Sequence, residues 1–274
     1  MAIITISRGT FSGGSELAQR VADRLGYQCT SREVMLEAAW GSGIPAEEIT
    51  TAMEKRPSFW HRVMGQRTAY LTLVRAALCE HARGGQLVYH GHVGHLLLPG
   101  IAHVVRVRVI ADMPFRIQAA LPQHSTREAA LAYIEKVDQE RREWVRFLFG
   151  VEWDDPLLYD LVLNLSRMSL DTACEAVTQL AARPEFQPTS ESAKALRDLV
   201  LRSRVEAALA IDPRTRDAEL AVTADDGLVD VNGQARWPDG VEAVSLIAQQ
   251  VEGVKSLHST VSFTSVPSLG ASVP

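Results

Sequence analysis

The amino-acid sequence predicts an α/β protein in which helices flank a parallel sheet, followed by a small α+β unit. An apolar, β-branched run at residues 3–6 leads through a glycine-rich turn into a helix. Further apolar strands are separated by helical segments, which is typical of a parallel sheet covered on both faces. Beyond a proline-containing segment, an Asp-Gly turn between two alternating runs predicts a hairpin. We therefore expect two folded units.

Composition supports this division and limits the classes of partner. A chain of 274 residues with 46% hydrophobic and 22% charged residues is long enough for two globular domains. The net charge of −5 gives no general attraction to nucleic acid, so we expect no nucleic-acid partner and only a local anion site. The start at Met1 has no basic leader, and no stretch reaches the roughly 18 apolar residues that span a bilayer. We therefore expect a cytoplasmic protein without a transmembrane segment.

The turn after the first strand predicts a phosphate-binding loop. A glycine-rich turn between a strand and a helix aims backbone N–H groups and the helix N-terminus at an anion. Against the pattern G-x-x-x-x-G-K-[ST], Gly9 and Gly14 fit, whereas Ser15 replaces the lysine and Glu16 replaces the metal-binding hydroxyl. The alternative is a purely structural turn. The candidate ATP-binding residues are Arg8, Gly9, Ser12, Gly13, Gly14 and Ser15.

The remaining elements of the first domain follow from apolar periodicity and glycine or proline breaks. Residues 27–32 are expected to form a short connection into a helix that begins near Glu33. The further predictions, in chain order, are a helix at 61–82, strands at 86–92 and 104–110, a helical stretch from 114 to about 149, a loop at 150–160, a strand at 161–165 and a helix at 170–182. These elements define a first domain of residues 1–183.

The second domain has a different element order. Residues 184–191 contain two prolines and are expected to be a linker. The elements predicted beyond it are a helix at 192–210, a strand at 218–223, a turn at 225–227, a strand at 228–235, a helix at 240–251 and a strand at 254–261. This α-β-β-α-β order predicts a small α+β domain over residues 192–262. The tail at 263–274 is expected to be disordered.

Several motifs of the first domain resemble those of a known family. The opening Ile-Thr-Ile-Ser-Arg precedes a Ser-Gly-Gly loop, and Arg32-Glu33 opens the next helix. Further marks are the strand and glycine at 89–91, Arg116 after the third strand, and the run Asp138-x-x-Arg141 … Phe149-Gly150 … Trp153-Asp154-Asp155-Pro156-x-x-Tyr159-Asp160-Leu161-x-x-Asn164. From residue 3 to about 180 the chain resembles the cytidylate kinase-like family, a branch of the P-loop nucleoside monophosphate kinases. The resemblance implies a P-loop NTPase-like sheet, and a lysine-poor loop is itself a family trait.

The resemblance also implies an activity and assigns candidate residues. It implies phosphoryl transfer from ATP, with Mg²⁺, to a (d)CMP-like acceptor, and no protein ligand for the metal is predicted. A lid helix is expected to present the catalytic arginines Arg141, Arg142 and Arg146, although a solvated helix face paired with neighbouring carboxylates is an equal alternative. The candidate acceptor-binding residues are Arg32, His92, Arg116 and Asp155. For Asp155 the alternative is an ordinary Asp-Pro turn.

The second domain resembles a BON module. The hairpin at 226–233 and the ending Ala248-x-x-Val251-x-Gly253-Val254 carry this resemblance. It implies a phospholipid, small-molecule or protein ligand, and a homo-oligomer is left open. Ser15 and Glu16, with Ser31 and His92 at two acceptor-binding positions, also support an alternative function. In that alternative the chain is a catalytically degenerate nucleotide sensor or scaffold, and the BON module carries the function.

Overall fold

A computed structural model describes residues 1–31, 64–91 and 93–263 of the chain. These residues belong to two compact units. The first unit contains residues 1–31, 77–91 and 93–196, and the second contains residues 64–76 and 197–263. Arg32, His92, the predicted helix near Glu33 and the tail from residue 264 lie outside the described residues.

The first unit is built on a parallel sheet of five strands in the order β2-β3-β1-β4-β5. The strands are β1 (Ile3–Arg8), β2 (Gln28–Ser31), β3 (Leu87–Gly91), β4 (Val104–Ile110) and β5 (Leu161–Asn164). Their β-branched and leucine side chains suit a sheet that is buried on both faces. The central strand β1 therefore delivers its carboxyl end, and the glycine-rich turn that follows, to the middle of the sheet edge.

Helices lie between these strands in the chain, and residues 64–76 of the second of them belong to the second unit. They are α1 (Gly14–Leu25), α2 (Met64–Ala82), α3 (Gly94–Leu97), α4 (Met113–Ala120), α5 (Arg127–Phe149) and α6 (Leu170–Ala181), with 3₁₀ turns at Leu121–Gln123, Pro156–Leu158 and Pro184–Phe186. Asp112, Thr126 and Ser169 cap α4, α5 and α6 through their side chains. In the parts of the chain that the structure describes, no helix is long and apolar enough to cross a membrane.

The two faces of the central strand differ in chemistry. Ile4 and Ile6 belong to an apolar core that also includes side chains of α1 and α6, such as Leu17 and Val177. On the alternate positions of β1, Thr5 and Ser7 are buried at 1% and 2% exposure. Because successive side chains of a strand point to opposite faces, one face of the sheet packs hydrophobically and the other carries polar groups.

The second unit contains a sheet of three strands. Its elements are α7 (Ser190–Ile211), β6 (Glu219–Asp225), β7 (Leu228–Ala235), α8 (Pro238–Gln250) and β8 (Ser256–Phe263). The part of α7 from Arg197 onward belongs to this unit. The strand β7 pairs antiparallel with β6 and parallel with β8. Val205, Val231 and Val244, each at 0% to 1% exposure, lie in its core. The predicted α-β-β-α-β order is confirmed.

The structure confirms the predicted fold class and changes several local predictions. Ser190 and Glu191 of the expected linker belong to α7, and Phe263 of the expected tail belongs to β8. Residues 27–32 were expected to be a connection, but Gln28–Ser31 form the edge strand β2. The helical stretch from 114 to 149 is interrupted, because α4 ends at Ala120 and α5 begins after its cap Thr126. Pro122 lies in the 3₁₀ turn between them, where it blocks continuous helical hydrogen bonding.

Candidate functional site

Among the described residues, no side chain caps the backbone amides that the turn between β1 and α1 presents. Gly13, the N-cap residue of α1, has a φ of 83°, a left-handed conformation that favours glycine. No side chain caps α1, and Leu17 N donates to Gly13 O at 3.1 Å. The amides at the first turn of a helix lack partners within the helix, and the helix dipole makes this end positive. The turn therefore has the features of an anion-binding site.

Arg8 lies against this turn. A Cβ atom placed on Gly14 would be 2.6 Å from Arg8 Cβ and 3.0 Å from Arg8 Cδ, so the absence of a side chain at Gly14 makes room for the arginine. Ser12 is buried and its hydroxyl donates to Gly9 O at 2.9 Å, which closes the turn internally. Ser15 is exposed. Of the predicted loop residues, the structure therefore brings Arg8, Gly14 and the α1 amides together.

A second set of contacts holds Thr10, the residue after Gly9. Asp138 Oδ1 accepts hydrogen bonds from Thr10 N at 3.1 Å and from Thr10 Oγ1 at 2.7 Å. Arg116 pairs with Asp138 Oδ2 and donates from Nε to Thr10 O at 2.7 Å. Arg141 Nη1 donates to Thr10 Oγ1 at 3.0 Å. Two predicted site arginines, Arg116 and Arg141, therefore lie at the loop. There Arg116 contacts both Asp138 and Thr10, and Arg141 contacts Thr10.

Phe11 attaches the same turn to an apolar cluster. Its φ of 58° lies in the left-handed region, which costs a residue with a Cβ atom about 1–2 kcal/mol. Its ring lies 6.0 Å from that of His124 and 6.1 Å from that of Tyr133. Phe11 also packs against a buried cluster on α4 and α5, whose members are Ile117, Ala120, Ala130 and Ile134. The turn is thus fixed by both polar and apolar contacts.

Beside the turn, the polar face of the sheet holds a buried arginine. Arg108 on β4 pairs with Asp154, and its guanidinium carbon lies 4.3 Å from the Trp153 ring centroid. Trp153 is 1% exposed and donates from Nε1 to Ser7 Oγ at 2.8 Å. Tyr159 donates from its hydroxyl to Trp153 O at 2.9 Å. These contacts fix the carboxyl ends of β1 and β4 and balance the buried charge of Arg108.

His95 lies on this polar face without a hydrogen-bond partner among the described residues. It is 6% exposed, and its ring lies 4.7 Å from the ring of Tyr159. Burial, assisted by the positive charges of Arg106 and Arg108, lowers the pKa of His95 from 6.5 to about 3. Burial likewise raises the pKa of Tyr159. Both side chains are therefore neutral at physiological pH.

The other two predicted lid arginines lie on the exposed side of α5. Arg142 donates to Gln139 Oε1 and lies 3.6 Å from Asp154 Oδ2, and Arg146 pairs with Glu152. Asp155 caps the 3₁₀ turn Pro156–Leu158 by accepting from Leu157 N at 2.9 Å. The neighbouring carboxylate, Asp154, is the one that contacts Arg142.

Sequence reasoning missed Thr10, Asp138 and Arg108 as parts of the site. Asp138 was noted only within the family motif and as an alternative partner of the lid arginines. It lies one turn beyond Ile134, and about two turns beyond Ala130, on the buried stripe of α5. A carboxylate on an apolar stripe is a signal for a buried partner, but the partner itself lies 128 residues away in the sequence.

The described residues offer no protein ligand set for a metal ion. Within residues 1–31, 64–91 and 93–263, no group of three or more His, Cys, Asp or Glu side chains is placed to hold one. Two carboxylates that contact residues of the site are committed, since Asp138 binds Arg116 and Thr10, and Asp154 binds Arg108. Asp138 and Asp154 are therefore not arranged to hold Mg²⁺ together.

A parallel sheet of order 2-3-1-4-5, with a glycine-rich turn after its central strand, is the arrangement of an α/β domain of the P-loop kinase type. Residues 3–167, more than half of the chain, match the model of the cytidylate kinase-like family. The chain belongs to this family. Residues 197–264 match the model of the BON domain, in agreement with the resemblance found in the sequence.

Individual relatives are distant. The chain is 23% identical to the cytidylate kinase of Pyrococcus horikoshii over 172 residues, which are 61% of this chain and 81% of that protein. It is 23% identical to the cytidylate kinase of Pyrobaculum aerophilum over 174 residues, 63% of this chain and 89% of that protein. An uncharacterized protein from Eubacterium ventriosum is similar in structure, with a TM-score of 0.53, 16% identity, and coverage of 67% of this chain and 100% of the other. That structural likeness concerns the fold alone.

Proposed function

We propose that this chain transfers a phosphoryl group from ATP to a (d)CMP-like nucleoside monophosphate. The observation that carries the proposal is the uncapped turn between β1 and α1, located within the region that matches a kinase-like family. Backbone amides at a helix N-terminus bind phosphate groups. Phosphoryl transfer requires mainly positioned donors and positive charge, which this arrangement supplies.

The proposed roles follow from the positions of the side chains. The α1 amides and Arg8 bind the phosphates of ATP, and Mg²⁺ carried by the nucleotide contributes further positive charge. Arg141, which reaches the loop through Thr10, and Arg142, which faces Asp154, stabilise the charge on the transferred group. Arg146 is the third lid arginine of the proposal.

The acceptor nucleotide is proposed to bind through a separate set of residues. Arg32, His92, Arg116 and Asp155 are the candidate acceptor-binding residues. For Arg116 this role adds the acceptor phosphate to a guanidinium that already donates from Nε to Thr10 O and pairs with Asp138. A guanidinium has five N–H donors, so it can bind a phosphate while it keeps these contacts.

The reaction is tested by titration calorimetry with ATP, CMP and both together in the presence of Mg²⁺, followed by assay for ADP and CDP. Binding with formation of both products supports the proposal.

Arg142→Gln is expected to lower kcat by about a hundredfold or more, since arginines that contact the transferred phosphoryl group have large effects on rate. Arg127→Gln, an exposed arginine on the same helix, is the matched control and is expected to leave kcat unchanged.

A second candidate function is nucleotide sensing without catalysis. The observation that favours it is the pair Ser15 and Glu16, which are exposed where a P-loop kinase has its lysine and metal-binding hydroxyl. ATP binding without any ADP formation would support the sensor. Ser15→Lys is expected to tighten ATP binding about tenfold if the loop faces the phosphates, because it adds a charge-assisted contact. An unchanged affinity would place the phosphates elsewhere.

We further propose that the BON domain binds a small molecule or a protein. The solvent-facing positions of its central and edge strands carry Asp230, Asn232, His258 and Thr260, and β6 to β8 contain no lysine or arginine. This sheet face therefore lacks the cations that attract an anionic phospholipid surface. Co-sedimentation with phosphatidylglycerol vesicles tests the choice, because strong retention that is lost in salt would favour the phospholipid.

A further inference from the structure

Asp138 is a buried carboxylate on α5. Its side chain is 9% exposed, and it follows Ala130 and Ile134 on the apolar stripe of the helix. Burying a carboxylate is unfavourable unless it is paired and hydrogen-bonded. Each oxygen of Asp138 has such partners: Oδ1 binds Thr10, and Oδ2 binds Arg116.

Side chains of α4 and α5 bind every polar group of Thr10. Its N–H and hydroxyl donate to Asp138 Oδ1, and its carbonyl accepts from Arg116 Nε. The next residue, Phe11, keeps a left-handed φ of 58°. Such a conformation persists only where the surrounding structure over-determines it. The contacts of Thr10 provide that constraint on the polar side.

We infer that Asp138 is a positioning residue for the phosphate loop. It holds Thr10 in place and draws the guanidinium of Arg116 to a loop that has no lysine. Thr10 Oγ1, fixed by Asp138, in turn receives Arg141. Arg116 and Arg141 are thereby both held beside the loop. The nucleotide part of this inference rests on the proposed function, but the ordering of the loop does not.

Hydrogen exchange of the full chain without nucleotide tests the ordering. Asp138→Asn keeps the size of the side chain but removes the charge that pairs with Arg116. We expect the amides of Gly9 and Ser12, which donate to Val109 O and Gly9 O, to exchange about tenfold faster in this variant. Glu135→Gln makes the equivalent change at an exposed position of α5 and is expected to leave both amides unchanged.

Binding of ADP with Mg²⁺ tests the consequence for the nucleotide. We expect Asp138→Asn and Thr10→Val to weaken ADP binding by about tenfold, because each removes contacts that fix the loop. Thr10→Ser keeps the hydroxyl that joins Asp138 to Arg141 and is expected to restore binding to the level of the unmodified chain. A role in overall stability alone would not separate the valine variant from the serine variant by affinity.

The outcomes distinguish this inference from the proposed function. Unchanged exchange at Gly9 and Ser12 in Asp138→Asn would overturn the positioning role. Equal acceleration throughout β1 would also overturn it, because the effect would then be a general loss of stability. If the unmodified chain binds no ADP, the proposed function fails, whereas the exchange comparison still decides whether Asp138 orders the loop.

Discussion

At the scale of single residues, the strongest electrostatic consequence concerns His95. Its folded-state pKa of about 3 lies below the unfolded value of 6.5, so between these values the unfolded chain binds the additional proton. The stability contribution of neutral His95 is therefore fully present above pH 6.5 and is lost as the pH falls towards 3. We expect His95 alone to make the protein about 2 kcal/mol less stable at pH 5 than at pH 8.

Denaturant unfolding at several pH values measures this effect, and His95→Phe isolates it. Phenylalanine fills a similar space and cannot be protonated, so the difference between the two pH profiles belongs to His95. The variant is expected to be at least as stable as the unmodified chain at pH 7, because it buries no ring nitrogen without a partner. Identical pH profiles for both proteins would contradict the assigned pKa.

A second prediction at this scale concerns the backbone of Phe11. Replacing Phe11 by alanine or by glycine removes the same ring contacts, but only alanine retains a Cβ atom at a φ of 58°. We expect Phe11→Gly to be about 1 kcal/mol more stable than Phe11→Ala, after allowance for the greater freedom of glycine in the unfolded chain. Thermal unfolding of both variants provides the comparison, and an alanine variant of equal or greater stability would show that the turn relaxes.

At the scale of elements, the structure gives a packing reason for the glycines at the end of β3 and at the start of α3. Tyr89 is 1% exposed, and a Cβ atom at Gly91 would lie 2.5 Å from its hydroxyl oxygen. A Cβ atom at Gly94, the first residue of α3, would overlap the Tyr89 ring. The strand-and-glycine motif, used above as a mark of family resemblance, is therefore also what allows α3 to approach β3 closely.

Gly94→Ala is accordingly expected to destabilise the first unit by about 2 kcal/mol, since Tyr89 is too well packed to move freely. Gly84→Ala is the matched control, because a methyl group there meets no atom of the described residues within 4 Å. We expect that control to change stability by less than about 0.5 kcal/mol. Equal stability losses in the two variants, measured by chemical denaturation, would count against this packing argument.

The predictability of the elements follows from the range of the interactions that form them. Strands such as Val104–Ile110 carry strong local alternation and were predicted at their observed bounds. The edge strand Gln28–Ser31 is short and polar, and it forms through pairing with β3, which local sequence does not encode. The contact between Asp138 and Thr10 was not predictable for the same reason. In the sequence, Asp138 is one of many charged residues on α5, and only the folded chain places it beside Thr10.

At the scale of the whole molecule, the chain has two units, each with its own hydrophobic core. The family models divide it similarly, at 3–167 and 197–264. The proline-containing segment and the change in element order predict domains at 1–183 and 192–262, and these bounds stay a prediction. The sequence did not predict that residues 64–76 belong to the second unit. The local sequence of a helix does not indicate to which unit each of its two ends belongs.

Separate cores predict separate responses to core substitutions. Val107 in β4 and Val231 in β7 are 0% and 1% exposed and belong to different cores. Each valine-to-alanine change removes two buried methyl groups, which costs about 2 kcal/mol. We expect Val231→Ala to accelerate amide exchange in β6 to β8 and to leave ADP binding unchanged.

Val107→Ala supplies the reciprocal control. It is expected to accelerate exchange in β1, β3 and β4 and to weaken ADP binding, because β4 supplies the Val109 carbonyl that accepts from the loop amide of Gly9 at 3.3 Å. Acceleration of all strands by either substitution would mean that the two units unfold as one cooperative body. Loss of ADP binding in Val231→Ala without such a global change would instead indicate that the BON domain controls the nucleotide site, which is the behaviour required of a regulatory module.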